Sequence, residues 1–270
     1  MTVEDAVLRE LHRAAVTAGR RGIAIPSIDL DVVTLRTGDR AAAEQAVTRL
    51  IRSKRVLRVR RDLLVLPDVT GLHNLSIGDL IDAVAPPPYL ITGGAALEHF
   101  DLTGQHFFGM VVLVPNEVTT LRFQGQTARF FKTDPTNIWG SEPDARPRYA
   151  LPERAIIDVL NHPRYGVTLT QVLDALLLAS SRDPEFLDRL HAAVLRYSAG
   201  PRGHSSRAAA RRVGLVVERL FGPGAAAPYS ELIGANRAAV QLRPGGRSSG
   251  PVDKKWRVIV NALLEPETAA

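Results

Sequence analysis

The feature that most constrains this chain is a change of hydrophobic period within one short stretch, residues 38–67, GDRAAAEQAVTRLIRSKRVLRVRRDLLVLP. Up to Lys54 the apolar residues Ala43, Ala46, Val47, Leu50 and Ile51 recur at helical spacing, which predicts an amphipathic helix capped by Asp39. From Val56 the chain turns to β-branched and aliphatic residues in two runs, 56–59 and 63–66. Arg60, Arg61 and Asp62 part the runs and Pro67 closes the second, which predicts a small hairpin. A helix running directly into a basic hairpin is the core of a winged helix-turn-helix.

The charges of this stretch are as informative as its periods. No acid lies between Glu44 and Asp62. With the apolar stripe turned inward, Arg40, Glu44, Gln45, Thr48, Arg49 and Arg52 face outward on the helix. Arginine and glutamine are side chains that pair in bidentate fashion with guanine and adenine edges in a major groove. Arg58 and Arg60 alternate with Leu57 and Val59, so they are expected to project from the wing toward phosphate. The expected DNA-contacting set is Arg36, Arg40, Gln45, Thr48, Arg49, Arg52, Lys54, Arg55, Arg58, Arg60 and Arg61. Upstream, residues 2–18 read as a first helix with Thr2 as cap and Asp5 at the capping-box position. Gly19 and Gly22 stop it. A short second helix over 26–35, starting at Pro26, would complete the helix-turn-helix; its β-branched content leaves a strand open.

Beyond residue 70 the signals are those of a second, larger domain. Residues 1–70 carry a net charge of +4, residues 71–165 of −3 and residues 166–270 of +5. A capped helix is expected over 76–84, a strand over 89–92, a helix over 93–100 and a buried strand over 109–115. Short strands follow at 119–123 and 127–132 around Gly125, then a proline-rich loop over 134–147 and a helix over 152–161. Further helices are expected over 169–179, 184–197 and 205–221, and a terminal strand over 255–264. Arg207, Arg211 and Arg212 fall on the first turns of the 205–221 helix, where they oppose its macrodipole. They are read as a second basic patch, placed for a partner or a surface. The expected fold is mixed α/β (α+β), with a winged helix-turn-helix over 1–70 and an α+β domain over 71–270.

Much chemistry is missing. Cysteine is absent, which removes disulfides and thiolate sites. The opening residues MTVEDAVLRE are acidic and amphipathic, unlike a secretory leader, and no apolar run approaches the ~18 residues of a membrane span, so a cytoplasmic location without membrane attachment is expected. Gly93–Gly94 opens a helix as nucleotidyltransferase phosphate cradles do, but the following strand carries no carboxylate pair to hold a divalent metal. Asp253-Lys254-Lys255 has the Asp-x-Lys form of some nucleases without a preceding paired acid. His99 and His106 lack a third ligand at metal spacing. No catalytic residue, metal or cofactor is expected.

The stretches GIAIPSIDL and RAAAEQAVTRLIRSKRVLRVRRDLLVLP together resemble the N-terminal winged helix of the AbiEi family of antitoxins, regulators of type IV toxin–antitoxin systems. PYLITGGAALEHFDLTGQ, MVVLVPN and ALPERAIIDVLNHP look like that family's second domain. So do SSRAAARRVGLVVERLFG and DKKWRVIVNALL. The set runs in the family's order over nearly the whole chain and departs from it at residues 62–64, where relatives often carry Gly-Val-Tyr. The resemblance implies a repressor that binds double-stranded DNA at inverted repeats in its own promoter. It also implies a C-terminal antitoxin domain that counteracts a nucleotidyltransferase-type toxin, in this family usually without a tight complex. A winged-helix regulator that senses a small molecule in the acidic middle is the alternative, and a metal-dependent nucleotidyl-transferring enzyme a more distant one.

Overall fold

A computed structural model of the protein describes residues 2–17, 23–24, 34, 38–60, 63–67, 75–200, 203–234 and 238–266. The expected second helix, the wing turn with Arg61 and Asp62, and Arg36 lie outside the described residues. The fold is mixed α/β, as expected. The chain falls into two compact units, 1–87 with 118–128 and 88–117 with 129–270, so the first extends past the boundary expected at residue 70.

In the first unit α1 (Val3–Thr17) begins in a reciprocal cap: Asp5 N donates to Thr2 Oγ1 (3.1 Å) and Thr2 N to Asp5 Oδ2 (3.0 Å). Helix α2 (Arg40–Arg52) begins at Asp39, whose carboxylate accepts from Ala42 N at 3.2 Å. Ala43, Ala46, Val47 and Leu50 of α2 are buried together with Ala6, Val7 and Leu11 of α1, and Val56 and Leu66 complete the cluster. Burying a leucine such as Leu11 or Leu50 contributes about 1.5–3 kcal/mol. Helices this short are marginal alone, so this shared stripe is what holds them. The chain leaves α2 through Lys54 at φ +60°, and Val56 N returns to Leu50 O at 3.1 Å.

Three short strands follow the order β1-β3-β2, all antiparallel: β1 (Ile23–Ala24), β2 (Leu57–Arg60) and β3 (Leu63–Val65). β1 was not foreseen; it pairs Ile23 with Val65 and Ala24 with Leu64. The β2–β3 ladder slips between Arg58 and Arg60, so the regular alternation expected of this strand is broken by a bulge at Val59. Helix α3 (Ile77–Val84) starts in a capping box of Ser76 and Asp79, and it too belongs to the first unit. Strands β6 (Leu121–Phe123) and β7 (Gln126–Lys132) form a hairpin whose two turn residues, Gln124 and Gly125, both have positive φ, the geometry of a type I′ turn.

In the second unit β4 (Leu90–Thr92) pairs antiparallel with β5 (Gly109–Val114). Helix α4 (Gly94–His99) enters through Gly93 at φ +75°, and a Cβ on Gly94 would meet the Phe107 ring. Helix entry and close packing therefore account for the glycine pair. Helix α5 (Pro152–Asn161) is buried from Glu153 to Leu160, polar residues included. Around it lie α6 (Leu169–Arg182), α7 (Phe186–Ser198) and α8 (Gly203–Ser230). α8 outruns the helix expected over 205–221: it kinks at Gly222 and resumes as a second helical segment. The expected terminal strand over 255–264 is also corrected. Arg257 at φ +55° interrupts it, leaving β10 (Val258–Ile259) between β8 (Val240–Gln241) and β9 (Val252–Asp253). Among the described residues no helix is long and apolar enough to cross a membrane.

Candidate nucleic-acid interface

The face of α2 turned away from Leu11 and Leu50 carries the side chains expected there. Arg40, Glu44, Gln45, Thr48, Arg49 and Arg52 are exposed, with Ala41 beside them. Lys54 and Arg55 continue the exposed basic surface past the helix end, and Arg58 is exposed on β2. The apolar stripe fixes the helix rotation, and the rotation presents the basic face.

The arginines of this face are not all unengaged. Arg49 Nε donates to Glu4 Oε1 at 2.8 Å, and Arg55 Nη1 lies 4.0 Å from the same carboxylate's other oxygen. Arg40 Nε reaches Glu44 Oε1 at 3.4 Å, one turn along the helix. Exposed pairs of this kind contribute about 0–1 kcal/mol, whereas a bidentate contact to the correct base discriminates by about 1–3 kcal/mol. Arg49 can therefore exchange Glu4 for a base edge at small cost. Thr48 Oγ1 donates to Glu44 O at 3.0 Å, which leaves the hydroxyl oxygen to act as an acceptor.

Arg60 departs from expectation. Its Nη1 donates to Thr119 O (3.3 Å) and Thr119 Oγ1 (3.1 Å), so the side chain is tied within the first unit rather than projecting from the strand like Arg58. The bulge explains the difference, since one extra residue between Arg58 and Arg60 re-aims the second arginine. Neither Glu4 nor Thr119 carries a local signal; each is brought in by tertiary packing from far along the chain.

The second basic patch expected at Arg207, Arg211 and Arg212 is corrected. Only Arg207 is exposed. Arg211 and Arg212 are buried, at 2% and 8% exposure. Arg211 donates to Ala238 O (2.7 Å) and Ile233 O (3.3 Å), and Arg212 Nε to Gln241 O (2.8 Å), while Arg212 Nη1 also bonds Asn161 Oδ1. Burial holds both guanidiniums below their ordinary pKa, Arg212 down to about 10. These arginines fasten the chain after α8 to the helix.

The other residues weighed for chemistry have structural partners. Asp253 Oδ1 accepts from Trp256 N at 2.9 Å, and Lys255 Nζ bonds Glu218 Oε1 at 2.6 Å. His99 stacks on Tyr149, ring centroids 4.0 Å apart, and His106 bonds Glu98. Among the described residues no three histidine, aspartate or glutamate side chains are grouped to hold a metal ion.

No protein-family model and no curated protein matches the sequence. Among solved structures, the Rv2827c protein from Mycobacterium tuberculosis is similar, with a TM-score of 0.55 at 12% identity over 92% of this chain and 89% of that one. The likeness is one of fold.

Proposed function

We propose that this protein is a DNA-binding transcriptional autorepressor and the antitoxin of a type IV toxin–antitoxin pair, acting against a nucleotidyltransferase-type toxin in the manner of the AbiEi family. In this reading the first unit is a winged helix-turn-helix: α2 enters the major groove and β2–β3 is the wing beside it. The observation that carries the reading is the exposed face of α2, with Arg40, Gln45, Thr48, Arg49 and Arg52 at helical spacing and Lys54, Arg55 and Arg58 continuing it. Gln45 and the arginines supply base readout, and the flanking cations supply phosphate contacts. The antitoxin half of the proposal rests on the sequence resemblance over the second unit.

Mobility shifts with the DNA upstream of the protein's own gene test the first half. The wild-type chain should retard a duplex containing the promoter's inverted repeats, and the Arg40→Ala/Arg49→Ala/Arg52→Ala variant should not. An unchanged shift in that variant would show that α2 is not the recognition helix. For the second half, co-expression should relieve the growth arrest caused by a nucleotidyltransferase-type toxin from the same operon; persistent arrest would refute the antitoxin role.

A further inference from the structure

The second unit contains a cavity of about 1660 Å³ that the DNA-binding reading does not use. It lies among α5, α7, the start of α8, the 131–139 segment and the loop 243–247, and every residue lining it belongs to the second unit. Seven of the lining side chains are arginine or lysine and two are carboxylates. Both carboxylates are engaged: Asp134 accepts from Thr136 N and Oγ1, and Asp158 accepts from Arg154 and Thr92. Lys132, Arg164, Arg196, Arg243 and Arg247, by contrast, have no carboxylate within ion-pair distance among the described residues. A concave wall lined by one sign of charge focuses potential and concentrates counter-ions.

The cavity is built rather than incidental. Asn261 fastens the loop 243–247: its Nδ2 donates to Arg243 O (3.0 Å) and Arg247 O (2.8 Å), and its Oδ1 accepts from Arg243 N (2.9 Å). Gln241 adds a bond from Gly245 N at 3.1 Å. Two buried cations line the same space. Among the described residues Arg212 has only neutral oxygens as partners, Gln241 O and Asn161 Oδ1. Arg154, at 2% exposure, keeps Asp158 on Nε at 3.0 Å, but its Nη1 is buried without a hydrogen-bond partner among the described residues. A buried guanidinium without a full set of acceptors is costly unless something anionic completes it.

Aromatic rings share the lining. Arg154 and Arg196 lie over the Trp139 ring at 4.4 and 4.5 Å, and His162 stacks on Tyr165 with centroids 4.9 Å apart. Tyr197 bonds His162 Nε2 at 3.4 Å. Arginine clusters recognise phosphate, and aromatic and guanidinium planes stack on a base.

We propose that this cavity binds a nucleoside triphosphate, with Arg212, Arg243 and Arg247 toward the phosphates and the His162–Tyr165–Trp139 side, with Arg196 over the Trp139 ring, toward the base. No residue of α2 lines the site, so nucleotide binding stands or falls independently of DNA binding.

Trp139 gives a direct readout. The only other tryptophan, Trp256, is fully buried and does not line the cavity. Full-length protein is titrated with ATP, adenosine and inorganic tripolyphosphate without magnesium, following tryptophan fluorescence. ATP should give saturable quenching, tripolyphosphate should bind at least about tenfold more weakly, and adenosine should give no saturable change. Arg243→Glu/Arg247→Glu, on an exposed loop, should weaken ATP by at least about tenfold at an unchanged melting temperature. Arg196→Gln, on a different element, should shift ATP affinity in the same direction. The absence of saturable ATP quenching, or unaltered affinity in both variants, overturns the site. Equal affinity for tripolyphosphate and ATP overturns the nucleoside assignment.

Discussion

Helices α2 and α8 both carry arginines, and the fold uses those of α2 and the Arg211–Arg212 pair of α8 in opposite ways. On α2, Arg40, Arg49 and Arg52 stand on the face opposite Ala43, Ala46, Val47 and Leu50 and are exposed. On α8, Arg211 and Arg212 sit between Ala208–Ala210 and Val213–Val217, a run apolar on every side, and both are buried. A helix with one apolar stripe offers its charges to the outside; one that is apolar all round takes its charges inside with it. The lesson is that the neighbours of an arginine, more than the arginine itself, separate an exposed face from an internal fastening.

The comparison can be broken most sharply at Arg211. If its guanidinium fastens Ile233 and Ala238, Arg211→Ala should lose about 3 kcal/mol in chemical denaturation, through two lost carbonyl partners and the space left behind. Arg49→Ala should stay within about 0.5 kcal/mol of wild type. Similar losses in the two variants would dissolve the distinction. The buried character of α8 is tested next at Gly214, where a Cβ would lie 2.1 Å from the Trp256 ring. Gly214→Ala should cost about 1–3 kcal/mol by overpacking, read as a lowered melting temperature.

Smaller effects sharpen the exposed side. Arg58→Ala should weaken promoter and scrambled duplexes alike and flatten the dependence of log K on log salt by about 0.9, as for one lost phosphate contact. Arg60→Ala should leave that slope nearer wild type, because Thr119 holds its side chain. The smallest effect is a pH dependence on α8. The Lys255 ammonium, and then the Trp256 indole, hold the Glu218 carboxyl below its ordinary 4.5. A carboxyl lowered on folding stabilises above 4.5 and loses that contribution as pH falls through its folded value. Glu218→Gln should therefore be less stable than wild type at neutral pH and approach it on acidification.

How much of this was legible in the sequence follows from range. Where the signal is local the reading held closely: Thr2 with Asp5, Ser76 with Asp79, and the helix over Pro152–Asn161. The outward set on α2 was legible because its apolar stripe fixes the rotation. The errors came where distant residues decide. Nothing local shows that Arg211 will meet Ala238 O, that Thr119 will hold Arg60, or that a two-residue strand at Ile23 will pair with Val65. The cationic cavity was invisible for the same reason, since Arg154, Arg196, Arg212 and Arg243 are scattered in sequence and meet only through tertiary packing.

The central claim, that the exposed face of α2 reads DNA sequence, is tested most directly at Arg49. Affinities of wild type and Arg49→Ala are measured by fluorescence anisotropy for a promoter duplex and for a scrambled duplex of equal composition, at one salt concentration. The account predicts a loss of about 1–3 kcal/mol on the promoter duplex and little change on the scrambled one, so that the specificity ratio collapses. Equal losses on both duplexes, or none on either, would contradict it.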